Sequence, residues 1–247
     1  MSGLKRGLIA LAATGVVLLA ACSSTSGPHK PRPQVVTERS QTAAFIHSGP
    51  GVLRAVVTAP VHALTVNGQV GGISVVGGSR TSVTITARLK YRGHPPVLHA
   101  SVTSGNLVVS YRCAARSACK VMFGLLVPRA LVVDARIGVG GIEVTGLTGP
   151  VTAVSGTGSV VGNGLRSSNA TLITKLGTIA VVFAQPPERV LARDDLGAIT
   201  ISVPGSGPYH VVARTQLGDV HVSVPQSSRA ARTITAISDL GAVTIKG

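Results

Sequence analysis

The stretch Gln216–Val224, QLGDVHVSV, carries the pattern that decides the fold. A glycine follows a leucine or a small residue, one variable position comes next, and β-branched residues then alternate with other residues. The pattern returns with its glycine at Gly140, Gly158, Gly177, Gly197, Gly218 and Gly241, and an earlier copy, GGISV, lies at Gly71–Val75. The intervals between the six glycines grow from 18 to 23 residues along the chain.

A unit of about 20 residues cannot bury an apolar face alone, but stacked units can, because valine on one coil lies over valine on the next. The repeated glycines are predicted to form tight corners, where φ is positive or a side chain would clash. The sequence therefore predicts an all-β fold, a single-stranded β-solenoid of the parallel β-helix kind. Proline-containing insertions of variable length leave a twisted β-sandwich as the alternative.

Upstream of the repeats, short apolar strands and turn signals predict hairpins. Val61–Val66 and Gly71–Val76 are expected to pair around the turn signal Asn67-Gly68. Val97–Val102 and Leu107–Tyr111 are expected to form a second hairpin. The predicted organisation is a leader at 1–21, a disordered tether at 22–42, an N-terminal β region at 43–136 and a repeat region at 137–247.

The first 22 residues have the features of an export signal. Lys5 and Arg6 precede an apolar run, Gly7–Leu18, that is too short to span a bilayer, and LAAC ends at Cys22. LAAC resembles the lipobox of bacterial lipoproteins, which implies lipidation of the Cys22 thiol and cleavage before it. An ordinary secretory signal with a chance cysteine is the alternative. We expect a lipid-anchored protein on the extracytoplasmic face of the cell membrane.

Apart from Cys22, the chain has two cysteines, Cys113 and Cys119. An isolated pair in an exported protein favours a disulfide. Free thiols remain an alternative. A metal site is disfavoured because neither a histidine nor a third cysteine lies nearby in the sequence.

The formal net charge is +15, and removal of Lys5 and Arg6 with the leader leaves about +13. A basic surface favours anionic partners such as lipid head groups, phosphate-bearing wall polymers or acidic glycans. Along the sequence the cations look scattered, and an arginine-rich coding bias is the alternative explanation. Nucleic acid is not expected, because the chain is exported and has only three Phe, three Tyr and no Trp for base stacking.

The few acidic residues offer no obvious catalytic site. Asp195 and Asp239 occupy the same repeat position, which Lys175 and Gln216 fill in neighbouring units. If the units stack in chain order, Gln216 separates the two aspartates by two strand spacings, about 10 Å. We therefore expect solvated corner carboxylates instead of an acid–base pair.

A calcium site formed by Asp194, Asp195 and Asp219 is disfavoured for the same reason, because solvated carboxylates at the corners are the expected alternative. The chain has no HExxH, GxSxG or phosphate-loop motif. No catalytic residue, metal or cofactor is expected.

The segment VPRALVVDARIGVGGIEVTGLTGPV, Val127–Val151, and the glycine units after it resemble the adhesin-like β-strand repeat family DUF4097. The resemblance implies a β-solenoid-like fold, a location in the cell envelope and, in some members, a link to envelope stress. We expect a non-enzymatic, membrane-anchored envelope lipoprotein that serves as an adhesin-like interaction or structural module. An envelope-stress accessory or sensor that binds a membrane protein is the alternative, and a polysaccharide-active β-helix enzyme is a third.

Overall fold

The computed structural model describes residues 40–115, 118–205 and 207–247, whose regular structure is entirely β-strand. The strands are β1 (Gln41–Thr42), β2 (Ile46–Gly49), β3 (Val52–Val57), β4 (Ala63–Gly78), β5 (Val83–Arg92), β6 (Val97–Thr103), β7 (Asn106–Arg112), β8 (Ala118–Pro128), β9 (Val132–Thr145), β10 (Val151–Thr157), β11 (Val160–Leu165), β12 (Asn169–Leu176), β13 (Ile179–Phe183), β14 (Arg189–Leu196), β15 (Ile199–Ser202), β16 (His210–Leu217), β17 (Val220–Ser223), β18 (Thr233–Leu240) and β19 (Val243–Lys246). The predicted all-β class is confirmed. None of these residues belongs to a helix long and apolar enough to cross a membrane.

Seven coils stack on one another by parallel pairing, which confirms the predicted β-solenoid. Each coil crosses two sheets, one before its corner glycine and one after it. The first sheet contains the first halves of β4 and β9, then β10, β12, β14, β18 and β16. The second contains the second halves of β4 and β9, then β11, β13, β15, β19 and β17.

The core runs between the two sheets and consists of small branched side chains. Alternate residues of each strand point inward, so that one apolar row lies over the next. Ile199, Ile201, Val243 and Ile245, for example, are all fully buried.

The repeated glycines form the corners. All six predicted positions have φ between 135° and 157°, and Gly71 has φ of 150°. At Gly197 an added Cβ would overlap the carbonyl oxygen of Gly177 in the preceding coil. The prediction of tight glycine corners is therefore confirmed, and the close approach of stacked backbones is the physical reason.

The coils do not stack in chain order. Ile234 of β18 pairs with Val190 of β14 on one side and with Val211 of β16 on the other. The C-terminal coil is thus inserted between the coil of β14–β15 and the coil of β16–β17. The stretch QLGDVHVSV belongs to the last coil of the stack, and the expectation of sequential stacking is wrong for these two coils.

The connection between β17 and β18 permits this insertion. Tyr209 is fully buried, its N–H donates to the Pro225 carbonyl at 2.9 Å, and its own carbonyl accepts from the Ser227 N–H at 3.0 Å. The chain leaving β17 therefore runs beside Tyr209 before it enters β18.

The predicted hairpin around Asn67-Gly68 is wrong, whereas the β6–β7 hairpin is confirmed. β4 continues through Asn67-Gly68 and pairs in parallel with β9 on both sides of its bend. The bend lies at Gly71, where the Tyr111 hydroxyl donates to the Val70 carbonyl and accepts from the Val70 N–H, both at 2.6 Å. Parallel pairing along β9 outweighs the local turn preference.

Further strands extend both sheets beyond β4, first by parallel pairing of β7 and β8 with β4 and then by antiparallel pairing. On one side β7 and β6 follow the first half of β4, and on the other β8, β5, β3 and β2 follow its second half. The predicted boundary between residues 136 and 137 falls inside β9, so the N-terminal and repeat regions share the same two sheets.

Candidate functional site

Five cationic side chains share the outer face of the antiparallel strands β3, β5 and β8. Alternate residues of these strands, such as Ala55, Ile85 and Phe123, are buried against the core, so the remaining positions point outward. The exposed outward positions include Arg54, Arg88, Lys90, Arg92 and Lys120, and we call this set the cationic face.

The register of the strands brings like charges together. Lys90 lies directly opposite Lys120 in the β5–β8 pair. Arg54 lies opposite Thr86 and is therefore a diagonal neighbour of Arg88. Like charges in such positions destabilise a sheet. An anion that lies on this face therefore relieves the repulsion and stabilises it.

No carboxylate of the same region balances these charges. Residues 40–133 contain no Asp or Glu. Asp134, the first acidic residue after this region, forms a salt bridge with Arg136 at 2.9 Å. On the outer face of the same sheet, Glu143 of β9 is separated from β8 by β4, and its carboxylate accepts a hydrogen bond from Asn163 at 3.2 Å.

A disulfide anchors the β8 end of the cationic face. Cys113, just after β7, is bonded to Cys119 in β8, as predicted, with 5.9 Å between their Cα atoms. Cys119 precedes Lys120 and lies opposite Tyr91. The bond therefore fixes the start of β8 beside a surface depression of about 330 Å³ that is lined by Lys90, Tyr91, Arg92, Ala118, Cys119 and Lys120.

The interpretation of the cations as scattered is wrong for this part of the chain. Arg54, the Arg88–Arg92 segment and Lys120 are far apart in sequence, and only the antiparallel pairing unites them. The run of 95 residues without an acidic residue, 39–133, is the signal in the sequence that would have revealed the face.

The inserted coil also changes the predicted order of the residues that share one repeat position, among them Asp195, Gln216 and Asp239. The register places Asp195 opposite Asp239, and Gln216 lies beyond Asp239 and donates to its carboxylate at 3.1 Å. The expectation that Gln216 separates the two aspartates is wrong. They are neighbours across one strand spacing, about 4.8 Å.

Inside the same corner, hydroxyl groups bind the backbone of the adjacent coil. Ser155, Thr174, Ser238 and Thr215 donate to the carbonyl oxygens of Gly140, Gly158, Gly197 and Gly241, at 2.9, 2.9, 3.2 and 2.9 Å respectively. In β14 the same row holds Asp194.

Asp194 is only 1% exposed, and neither carboxylate oxygen has a hydrogen bond of normal geometry. Burial raises the pKa of Asp194 to about 6, and the charge of Asp195 adds to this, while the nearby backbone amides of Leu196 and Asp195 partly offset it. Sequence reasoning placed Asp194 in a disfavoured cation site and missed that it replaces a hydroxyl.

The remaining candidate residues from the sequence are the potential metal ligands, Asp219, His221 and Cys22. Within the described segments no group of three or more His, Cys, Asp or Glu side chains could hold a metal ion. Asp219 and His221 are exposed. Cys22 lies outside the described residues, so its lipidation stays a prediction.

Comparisons with protein-family models and with curated proteins each find no match for this sequence. Among solved structures, the chain matches a "putative cell adhesion protein" from Clostridium sporogenes, with 11% identity, a TM-score of 0.45 and coverage of 85% of this chain and 99% of that chain. It also matches a "putative adhesin" from Bacteroides fragilis, with 16% identity, a TM-score of 0.39 and coverage of 79% and 96%.

Proposed function

We propose that this chain is a non-enzymatic, exported β-solenoid lipoprotein that binds anionic polymer of the cell envelope through its cationic face. The lipid on Cys22 would hold the protein at the membrane, and the tether would let the folded part reach its ligand. The observation that carries the proposal is the group of five exposed cations without a carboxylate between residues 40 and 133.

The layout of the charges favours a polymer or an extended surface as the ligand. Arg88 and Arg92 are four residues apart on one strand, about 13 Å, and the three strands together span about 10 Å. Cations spread at this spacing contact several anionic groups at once. Phosphate is well suited to them, because arginine can donate two hydrogen bonds to it.

Retention on purified cell wall tests the proposal. The intact chain should bind wall that carries its phosphate polymer and should bind less after that polymer has been stripped. Retention should fall as salt increases, because the screening length shrinks from about 30 Å at 0.01 M to about 8 Å at 0.15 M.

Two double variants with equal net charge locate the binding surface. Lys90→Glu with Lys120→Glu reverses two charges on the cationic face and should abolish most of the retention. Lys175→Glu with Lys246→Glu reverses two exposed lysines elsewhere and should leave most of it. Equal losses in both variants, or retention that does not respond to salt, would contradict the proposal.

A further inference from the structure

The end of the solenoid formed by β16 and β17 leaves core positions uncovered. Val220 lies over Val243 of the adjacent coil, yet Val220 is 45% exposed and Val243 is fully buried. Val211 and Ala213 are likewise half-buried, although the residues they lie over in β18 are fully buried. The apolar core therefore reaches solvent at this end.

Both strands of this coil also have a free edge. Within the described residues, β16 pairs only with β18, and β17 pairs only with β19. The opposite end differs, since β7 and β8 pair with β4 and extend both sheets there.

Some of the features that usually protect such an edge are missing. Neither β16 nor β17 contains a proline or a lysine. Proline, lysine and inward-pointing charges are common means of preventing edge pairing. Leu217, at the corner between the two strands, is 69% exposed and adds apolar surface to the same end.

We infer that the β16–β17 end binds the same end of a second copy of this chain, so that both sheets continue from one solenoid into the other. An extended peptide could pair with one of the two free edges and would leave the other open. A second end coil presents both edges, joined by the same glycine corner at Gly218. Because the same surface is used twice, the assembly closes as a two-fold dimer.

The charges of this end fit self-association. Arg214 and Asp219 carry opposite charges, and they are the only Lys, Arg, Asp or Glu residues between His210 and Ser223. Two such ends can approach without net repulsion. The cationic face would place five positive charges against five, which excludes it as a self-association surface at low salt.

The mass of the intact chain in detergent, corrected for bound detergent, tests this inference. As the protein concentration is raised to about 100 μM, the mass should reach twice that of the monomer. Val220→Lys adds an inward-pointing charge that solvent can reach in the monomer but not in the dimer, so it should return the mass to that of the monomer. Val182→Lys, at an exposed valine of β13 with similar exposure, 48%, should remain dimeric.

A wild-type chain that stays monomeric throughout this range overturns the inference. So does a dimer that survives Val220→Lys, because it must use another surface. Circular dichroism of both variants shows whether the fold is retained. The Val220→Lys monomer should still bind unstripped wall more than stripped wall. Failure of the dimer inference and failure of the proposed function are therefore separate results.

Discussion

Replacing Asp194 by serine should stabilise the protein at neutral pH. The change restores in β14 the hydroxyl that the neighbouring coils have, and a serine there can donate to the Gly177 carbonyl as Ser238 does to Gly197. It also removes a carboxyl group that is buried without a hydrogen bond of normal geometry.

The pKa of Asp194 sets the magnitude and the pH range. Its folded value of about 6 exceeds the ordinary aspartate pKa of 3.8. The native state therefore holds the proton more tightly, and stability is lost as the pH rises from about 4 through about 6. One pKa unit corresponds to 1.36 kcal/mol, so the penalty at neutral pH is at most about 3 kcal/mol. The corner lies close to solvent, which screens the charge, and we expect a gain between about 1 and 3 kcal/mol.

Denaturant unfolding of wild type and Asp194→Ser should be compared at about pH 4 and about pH 7.5. The variant should be the more stable protein at the higher pH, and its advantage should shrink or vanish at the lower pH. Asp195→Ser, at the adjacent half-exposed position, serves as the control and should show a much smaller change. An equal difference at both pH values, or a less stable variant at pH 7.5, would refute the explanation.

Three further predictions concern the corners, the disulfide and the anchor. Gly197→Ala should destabilise the fold by more than about 2 kcal/mol because its Cβ overlaps the preceding coil, whereas Gly205→Ala, with open space around it, should be nearly neutral in denaturant unfolding. Replacing Cys113 and Cys119 by alanine should lower the free energy of unfolding by about 2 kcal/mol, and equal stability would contradict this. Cys22→Ala should abolish labelling by a fatty-acid analogue and release the protein from membranes, and unchanged labelling would refute the anchor.

The glycine corners could be predicted because their cause is local. Each corner brings the backbone against the carbonyl of the adjacent coil, so glycine is required at the same place in every repeat. The order of the coils could not be predicted, because all repeats share one alternation of inward residues. DLGAVTI fits against DLGAITISV as well as QLGDVHVSV does, and the order found in the structure goes with the connection that runs beside Tyr209.

Two other features depend on contacts between distant segments. Asn67-Gly68 has the sequence of a turn, yet Ile137 of β9 packs across Gly68, where an added Cβ would lie 3.2 Å from Ile137 Cγ1. The glycine thus makes room for a neighbouring strand. The cationic face likewise needs the pairing of β3, β5 and β8 before its charges become neighbours.

Protection of lysines from an amine-reactive reagent would test the cationic face most directly. Four lysines lie in the described part of the chain, and all are exposed: Lys90 and Lys120 on the cationic face, and Lys175 and Lys246 elsewhere. With inorganic polyphosphate as the soluble anionic probe, mass spectrometry should show that Lys90 and Lys120 become less reactive while Lys175 and Lys246 stay unchanged. Equal protection of all four lysines, or protection of Lys175 and Lys246 alone, would contradict the assignment of the cationic face as the binding surface.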